Sequence, residues 1–106
     1  MPSVFKNIPV QVTNTQTQIY VVPALTTAIV FSGHISNVDT TNKAAHNVTL
    51  EHKVGAIYYS RLQDVPIAYG GSLTPGKMVL QAGESLYITG DANSVMEAVF
   101  DILEKS

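Results

Sequence analysis

The chain has 106 residues, which suits one domain of near-modal size. Its hydrophobic fraction of 45% is ordinary, but only 13% of its residues are charged, against about 25% in an average soluble domain. A net charge of −2 and the absence of Cys argue against nucleic-acid binding and exclude disulfides and thiolate metal sites.

Thr, Asn, Gln and Ser take the place of charge, as expected for β-structure and turns. A weakly charged surface also costs less to desolvate against another subunit, so the composition favours assembly. The six Lys and Arg residues do not cluster. No apolar run approaches the ~20 residues needed to span a bilayer, so no membrane partner is expected. Met1-Pro2-Ser3 lacks a basic segment followed by a long apolar run, so no secretion signal is expected.

Residues 1–17 are polar overall, hold Pro2 and Pro9, and show little strand or helix period. They read as an extended N-terminal arm outside a domain spanning 18–106. Val4, Phe5, Ile8, Val10 and Val12 are nevertheless too apolar for a solvated tail. They are the candidate assembly interface, since an arm laid on a neighbouring subunit would bury them. Burying one ring such as Phe5 is worth about 1.5–3 kcal/mol. On this reading, removing Met1 to Thr17 leaves the domain folded and weakens association.

Gln18 to Val22 is a strand stopped by Pro23. Thr26 to Ile35 is the clearest long strand, with Ile29, Phe31, Gly33 and Ile35 on one face and Ala28 and Val30 on the other. Gly33 inside it signals a bulge or a close backbone approach. Asn37 to Asn47 is a loop rich in Asn and Asp, whose side chains bond back to local backbone. His46 to Lys53 and Ala56 to Leu62 are further strands. Tyr58 and Tyr59 fall on opposite faces of the latter, one expected in the core and one at an interface. Asp64 to Gly71 is a connection.

Ser72 to Gly90 is the densest in turn signals. Pro75-Gly76 suits the centre of a type II turn, and Gln81 to Glu84 makes a second reversal. Short strands near Lys77 to Leu80 and Ser85 to Thr89 result. Ser94 to Leu103 is ambiguous. As a strand, Met96, Ala98, Phe100 and Ile102 share a face. As a helix, Val95, Ala98, Val99, Ile102 and Leu103 form a stripe behind the capping box Ser94-x-x-Glu97. Periodicity alone leans to the helix.

Catalytic and metal signatures are sought and not found. His34, His46 and His52 show no metal-ligand spacing, and no cofactor or metal is expected. His52 shares a face with Val48 and Leu50 and is expected to be partly buried. Asp39, Glu84 and Asp91 read as solvated turn residues. No Ser sits in a Gly-x-Ser-x-Gly elbow, and Gly70-Gly71-Ser72 is not a phosphate loop. Asn47-Val48-Thr49 matches a glycosylation sequon without a secretory context.

One pattern runs through most of the chain. It comprises Tyr20-Val-Val-Pro-Ala24, the turn Ile35-Ser36-Asn37, Val48-Thr49-Leu50, Leu73-x-Pro75-Gly76, Leu80-x-Ala82-Gly83-Glu84-x-Leu86, and the closing Leu103-Glu104. This pattern resembles small β-sandwich virion proteins of tailed bacteriophages. The resemblance implies an all-β fold, a single antiparallel β-sandwich of jelly-roll type. It implies that Ser94 to Leu103 is a strand. It also implies a structural role in the virion, foremost as a capsid decoration (cement) protein, with tail, neck or fibre components as the alternative. The partners implied are copies of the chain itself, as a homo-oligomer such as a trimer, and the major capsid protein. The protein would be made in the host cytoplasm. A carbohydrate-binding β-sandwich is the reading from another class, and an exposed aromatic platform would distinguish it. No enzyme activity is expected.

Overall fold

The computed structural model describes residues 3–106. Every regular element among them is a strand: β1 (Ser3–Val12), β2 (Thr17–Val21), β3 (Thr27–Asn37), β4 (His46–Val54), β5 (Ile57–Ile67), β6 (Ser72–Leu73), β7 (Met78–Leu80), β8 (Ser85–Gly90) and β9 (Met96–Lys105). They form two antiparallel sheets. Sheet A runs β1-β9-β3-β6, with β7 also on β3. Sheet B runs β2-β8-β4-β5. With β6 and β7 taken as one interrupted strand, this is the eight-strand jelly-roll order.

The alternation of each strand sends one face inward. From sheet A come Val12, Ala28, Val30, Ile35, Met78, Leu80, Met96, Ala98, Phe100 and Ile102; from sheet B come Val48, Leu50, Leu86 and Ile88. Between the sheets they form one closed core, as expected for a sandwich whose inner faces interdigitate.

The last segment is a strand, as the resemblance implies, and it is central. β9 pairs along its length with β1 on one side and β3 on the other. Two-sided pairing of ten residues outweighs the local helix signals at Ser94 and Glu97.

Four expectations differ from the structure. First, residues 3–12 are not a free arm. They pair in register with β9 from Ser3↔Lys105 to Val12↔Met96. Val12 is fully buried, and Ile8 and Val10 pack against the core. The edge strand reads as polar because only its inner positions need be apolar. The reading of Met1 and Pro2 as part of an arm lies outside the described residues.

Second, the alternation in β3 breaks. A bulge between Val30 and Ser32 adds Phe31 as an extra residue. Ala28 and Val30 face inward before it, and Gly33, Ile35 and Asn37 face inward after it. Gly33 also shows the close approach expected of it. A Cβ there would lie 2.7 Å from Cδ1 of Phe100 and 3.0 Å from the Val99 carbonyl oxygen.

Third, Pro75-Gly76 makes no reversal. β6 and β7 both pair with β3 in the same sense, so residues 74–77 only interrupt one edge strand. The reversal at Gln81 to Glu84 does form, with Glu84 N donating to Gln81 O at 3.0 Å and Gly83 at φ 84°. Fourth, β5 runs on through Pro66 to Ile67 instead of stopping at Leu62. Proline is tolerated there because β5 is an edge.

Tyr20 on β2 ties the sheets together. Its hydroxyl donates to Glu104 of β9 at 2.5 Å, and Lys6 of β1 pairs with the same carboxylate oxygen at 3.3 Å. Burial, then the bond to Glu104, hold the phenol well above its usual range. Among the described residues, no buried side-chain nitrogen or oxygen lacks a partner.

Phe100→Ala should cost about 3–5 kcal/mol, because the ring fills the space opposite a residue without a side chain. Gly33→Ala should cost about 1–3 kcal/mol by overpacking the same contact. Urea unfolding of both variants measures this; a loss under 1 kcal/mol for Phe100→Ala would remove the ring from the core. Deleting residues 1–12 should unfold the domain, because it strips β9 of one partner. A cooperative thermal transition retained at the parent temperature would contradict this.

Candidate functional site

The two ends of the sandwich differ in chemistry. One end gathers polar groups. Asn37, at the end of β3, is 2% exposed. Its Nδ2 donates to the carbonyls of Ala44 and Ile67 at 2.8 Å each, and its Oδ1 accepts from Asp39 N at 3.0 Å. This side chain therefore anchors both the 38–45 loop and the connection after β5.

Asp39 is buried, contrary to the reading of it as a solvated turn residue. It does make the expected local bond, accepting from Asn42 N at 3.0 Å. Its other oxygen lies 2.8 Å from His46 Nε2. His46 Nδ1 lies 2.8 Å from Asp91 Oδ1, and Asp91 Oδ2 accepts from Asn47 N at 2.9 Å. The imidazole thus bridges two carboxylates and needs a proton on each nitrogen to do so. The hydrogen bond to Asp39 raises the His46 pKa above the usual imidazole value, against burial and with help from Asp91. The same bond, and that from Asn42, lower the Asp39 pKa.

A second histidine is also structural. His52 Nε2 lies 2.7 Å from Glu84 Oε1, and Arg61 Nη2 lies 3.2 Å from His52 Nδ1. Arg61 can only donate, so the proton given to Glu84 sits on Nε2. The backbone N–H of Gln81, and then His52, lower the Glu84 pKa below its ordinary value despite burial. His52 is partly buried, as its strand face implies. Both nitrogens of His46 and of His52 are engaged, leaving neither ring free as a base. Among the described residues, no group of three or more His, Asp or Glu is placed to hold a metal ion.

The opposite end gathers apolar groups. Of the candidate interface residues, Phe5 is 73% exposed and Val4 is half-exposed, while Ile8, Val10 and Val12 belong to the protein's own interior. The register places Phe5 beside Leu103, Leu103 beside Ile29, and Ile29 beside Val79. These four side chains form a row across the outer face of sheet A. The Phe31 ring meets the Phe5 ring edge-on at 6.0 Å between centroids. Phe31 keeps the outward phase of Ile29, and the bulge shifts the phase only of the residues that follow it. Phe31 and Val79 are about half exposed.

Sheet B carries a smaller aromatic group at this end. Tyr58 and Tyr59 fall on opposite faces as expected, but both are exposed. They lie on an edge strand near the β4–β5 tip, where neither face is covered. Tyr58 meets Tyr87 at 5.2 Å and 76°, and Lys53 Nζ sits 5.1 Å from the Tyr58 ring centre. Perpendicular rings beside an ammonium do not make the flat platform that a sugar face needs.

Sequence reasoning found Phe5 but missed the row, because three of its members depend on strand register. Half-buried Ile29 and exposed Val79 are legible as outward positions once β3 and β7 are paired.

Fold and register together define an all-β jelly-roll sandwich with a closed core. No protein-family profile matches the chain, and no curated protein sequence matches it. Among solved structures, the fold is similar to that of a chain from the Bacillus endospore appendages, which form a novel family of disulfide-linked pili. The TM-score is 0.60 at 16% identity, covering 99% of this chain and 87% of that one. At that identity the likeness is one of fold.

The His46 bridge gives a signed pH dependence. Its raised pKa makes its contribution complete below the ordinary imidazole value and lost as pH rises through the folded-state value. The lowered pKa of Asp39 makes its contribution complete above the ordinary carboxyl value and lost as pH falls through the folded-state value. Melting temperature should therefore peak in weakly acidic buffer and decline toward alkaline pH. His46→Gln should flatten the alkaline decline; an unchanged profile would mean that His46 carries no linked proton.

Proposed function

We propose that the protein is a self-associating structural subunit, a building block of a multi-copy assembly. The observation that carries this is the apolar row Phe5–Leu103–Ile29–Val79 with Phe31, left on the outer face of a domain whose own core is already closed. Contiguous apolar surface of this kind marks interaction sites in soluble proteins. The engaged histidines favour a structural role over a catalytic one, and no nucleophile motif accompanies them.

The similar fold in the Bacillus pili supports assembly of many copies. Those pili are disulfide-linked, whereas this chain has no Cys. Any polymer or oligomer it forms is held without disulfides. The turn pattern adds a finer reading, a capsid decoration protein of a tailed bacteriophage. Such a subunit binds the assembled shell and not its free parts, and stabilises the shell by that difference. A tail, neck or fibre component belongs to the same class.

Sedimentation velocity over a concentration series tests the proposal. Defined oligomers or polymers should grow with concentration, and electron microscopy should show their form. Shell-like or ring-like particles support the virion reading, and filaments a pilus-like one. A monomer up to the solubility limit would overturn self-association.

A further inference from the structure

The long edges of the sandwich are poorly suited to adding a neighbour's strand. Pro9 in β1 and Pro66 in β5 interrupt the row of N–H groups, and β5 has register shifts against β4. The outer face of sheet A is different. Its apolar row crosses all four strands β1, β9, β3 and β7, or roughly 14 Å between the outer two.

The charges that flank this row are arranged asymmetrically. On β9, Leu103 belongs to the row. Lys105 lies two residues to one side of it and Asp101 two residues to the other, all on the same face. Lys105 is exposed and has no ion-pair partner among the described residues. One oxygen of Asp101 accepts from Asn7 Nδ2 at 2.6 Å, and the other is free to pair. The register partners of these two residues are uncharged, Ser3 and Thr27 beside Lys105 and Asn7 and Ser32 beside Asp101. Exposed Lys77 stands two residues from Val79 at the far end of the row, where a half-turn about the row sets it toward Gln81.

We infer that the outer face of sheet A binds a second copy of this chain, face to face, about a two-fold axis running along the apolar row. A half-turn about that axis reverses the strand direction and lays row on row. It carries Lys105 of each copy over Asp101 of the other, because both stand at the same offset from Leu103. The contact is isologous, so each pair occurs twice. A two-fold axis along the strands, through the middle of the row, would instead lay β9 on β3 and set Lys105 over Thr27 and Asp101 over Ser32, leaving both charges unpaired. The charges therefore select one orientation of an otherwise greasy surface.

The inference rests on the self-association reading and names the surface that serves it. The test uses the full chain and sedimentation equilibrium. Phe5→Lys and Val79→Lys change exposed positions and should leave the far-UV spectrum and the cooperativity of unfolding intact, with the melting temperature falling only by the share that association contributes. Each should weaken dimerisation at least about tenfold. Lys105→Glu and Asp101→Lys should each weaken it alone, with Asp101→Asn as control for the lost Asn7 bond. An equimolar mixture of Lys105→Glu and Asp101→Lys should dimerise again, since both cross-pairs then carry opposite charges. If the parent protein associates but Phe5→Lys and Val79→Lys do not weaken it, this face is wrong and self-association stands. If those two weaken it but the mixture fails to recover, the two-fold arrangement is wrong. A monomeric parent protein overturns both this inference and the functional reading.

Discussion

The register of β3 against β9 is the constraint on which the rest of the structure depends. A strand has a side-chain period of two, so a ten-residue pairing with one face buried leaves no freedom to slip. The sequence of β3 does not keep one period along its length. Ala28 and Val30 fit the core, and so do Gly33, Ile35 and Asn37, but the two sets are out of phase. The extra residue at Phe31 brings them into phase. Gly33 then faces Phe100 with no side chain of its own, and the ring occupies that space. Remove the bulge and one half of β3 turns its apolar residues to solvent. Phe31 keeps the outward phase of Ile29 and meets Phe5 there, while the bulge turns the second half of β3 back into the core.

The sandwich is also divided along its strands. At one end Asn37, Asp39, His46 and Asp91 close the loops with hydrogen bonds, each donor and acceptor matched. That end gains order from polar bonds, which lose strength when a proton is added or removed. At the other end Tyr20 and Glu104 join the sheets behind the apolar row, and His52 and Glu84 add a second polar pair. Contact with a partner at the apolar end thus leaves the polar lock of the other end undisturbed.

What could be read from the chain follows the range of the physics involved. The reversal at Gln81 to Glu84 is a matter of four residues, and Gly83 announces it. The alternation of Met96, Ala98, Phe100 and Ile102 is visible, but the stripe and capping box of a helix are equally local and equally good. Only pairing with β1 and β3, from 59 positions away (Asn37 with Met96) to 102 (Ser3 with Lys105), decides between them. β1 itself carries a legible period at Ile8, Val10 and Val12; Pro9 and the polar neighbours obscured it. The burial of Asp39 and its link through His46 to Asp91 join groups up to 52 residues apart, and no spacing rule reports that. Pro75-Gly76 has the composition of a turn, yet β3 holds the residues on both sides of it in one line.

The pairing of Ser3 with Lys105 has a mechanical consequence. A pull applied through β1 and β9 from that shared end acts along the direction of their hydrogen bonds and opens them one pair at a time. A zipper of that geometry yields at low force, whereas strands dragged lengthwise past each other must break many bonds together. On the proposed self-association, a fibre or shell of this domain would carry little tension through those two strands. Load would have to pass from the broad face of one sheet to that of the next copy, where it is resisted by every strand of the sheet at once.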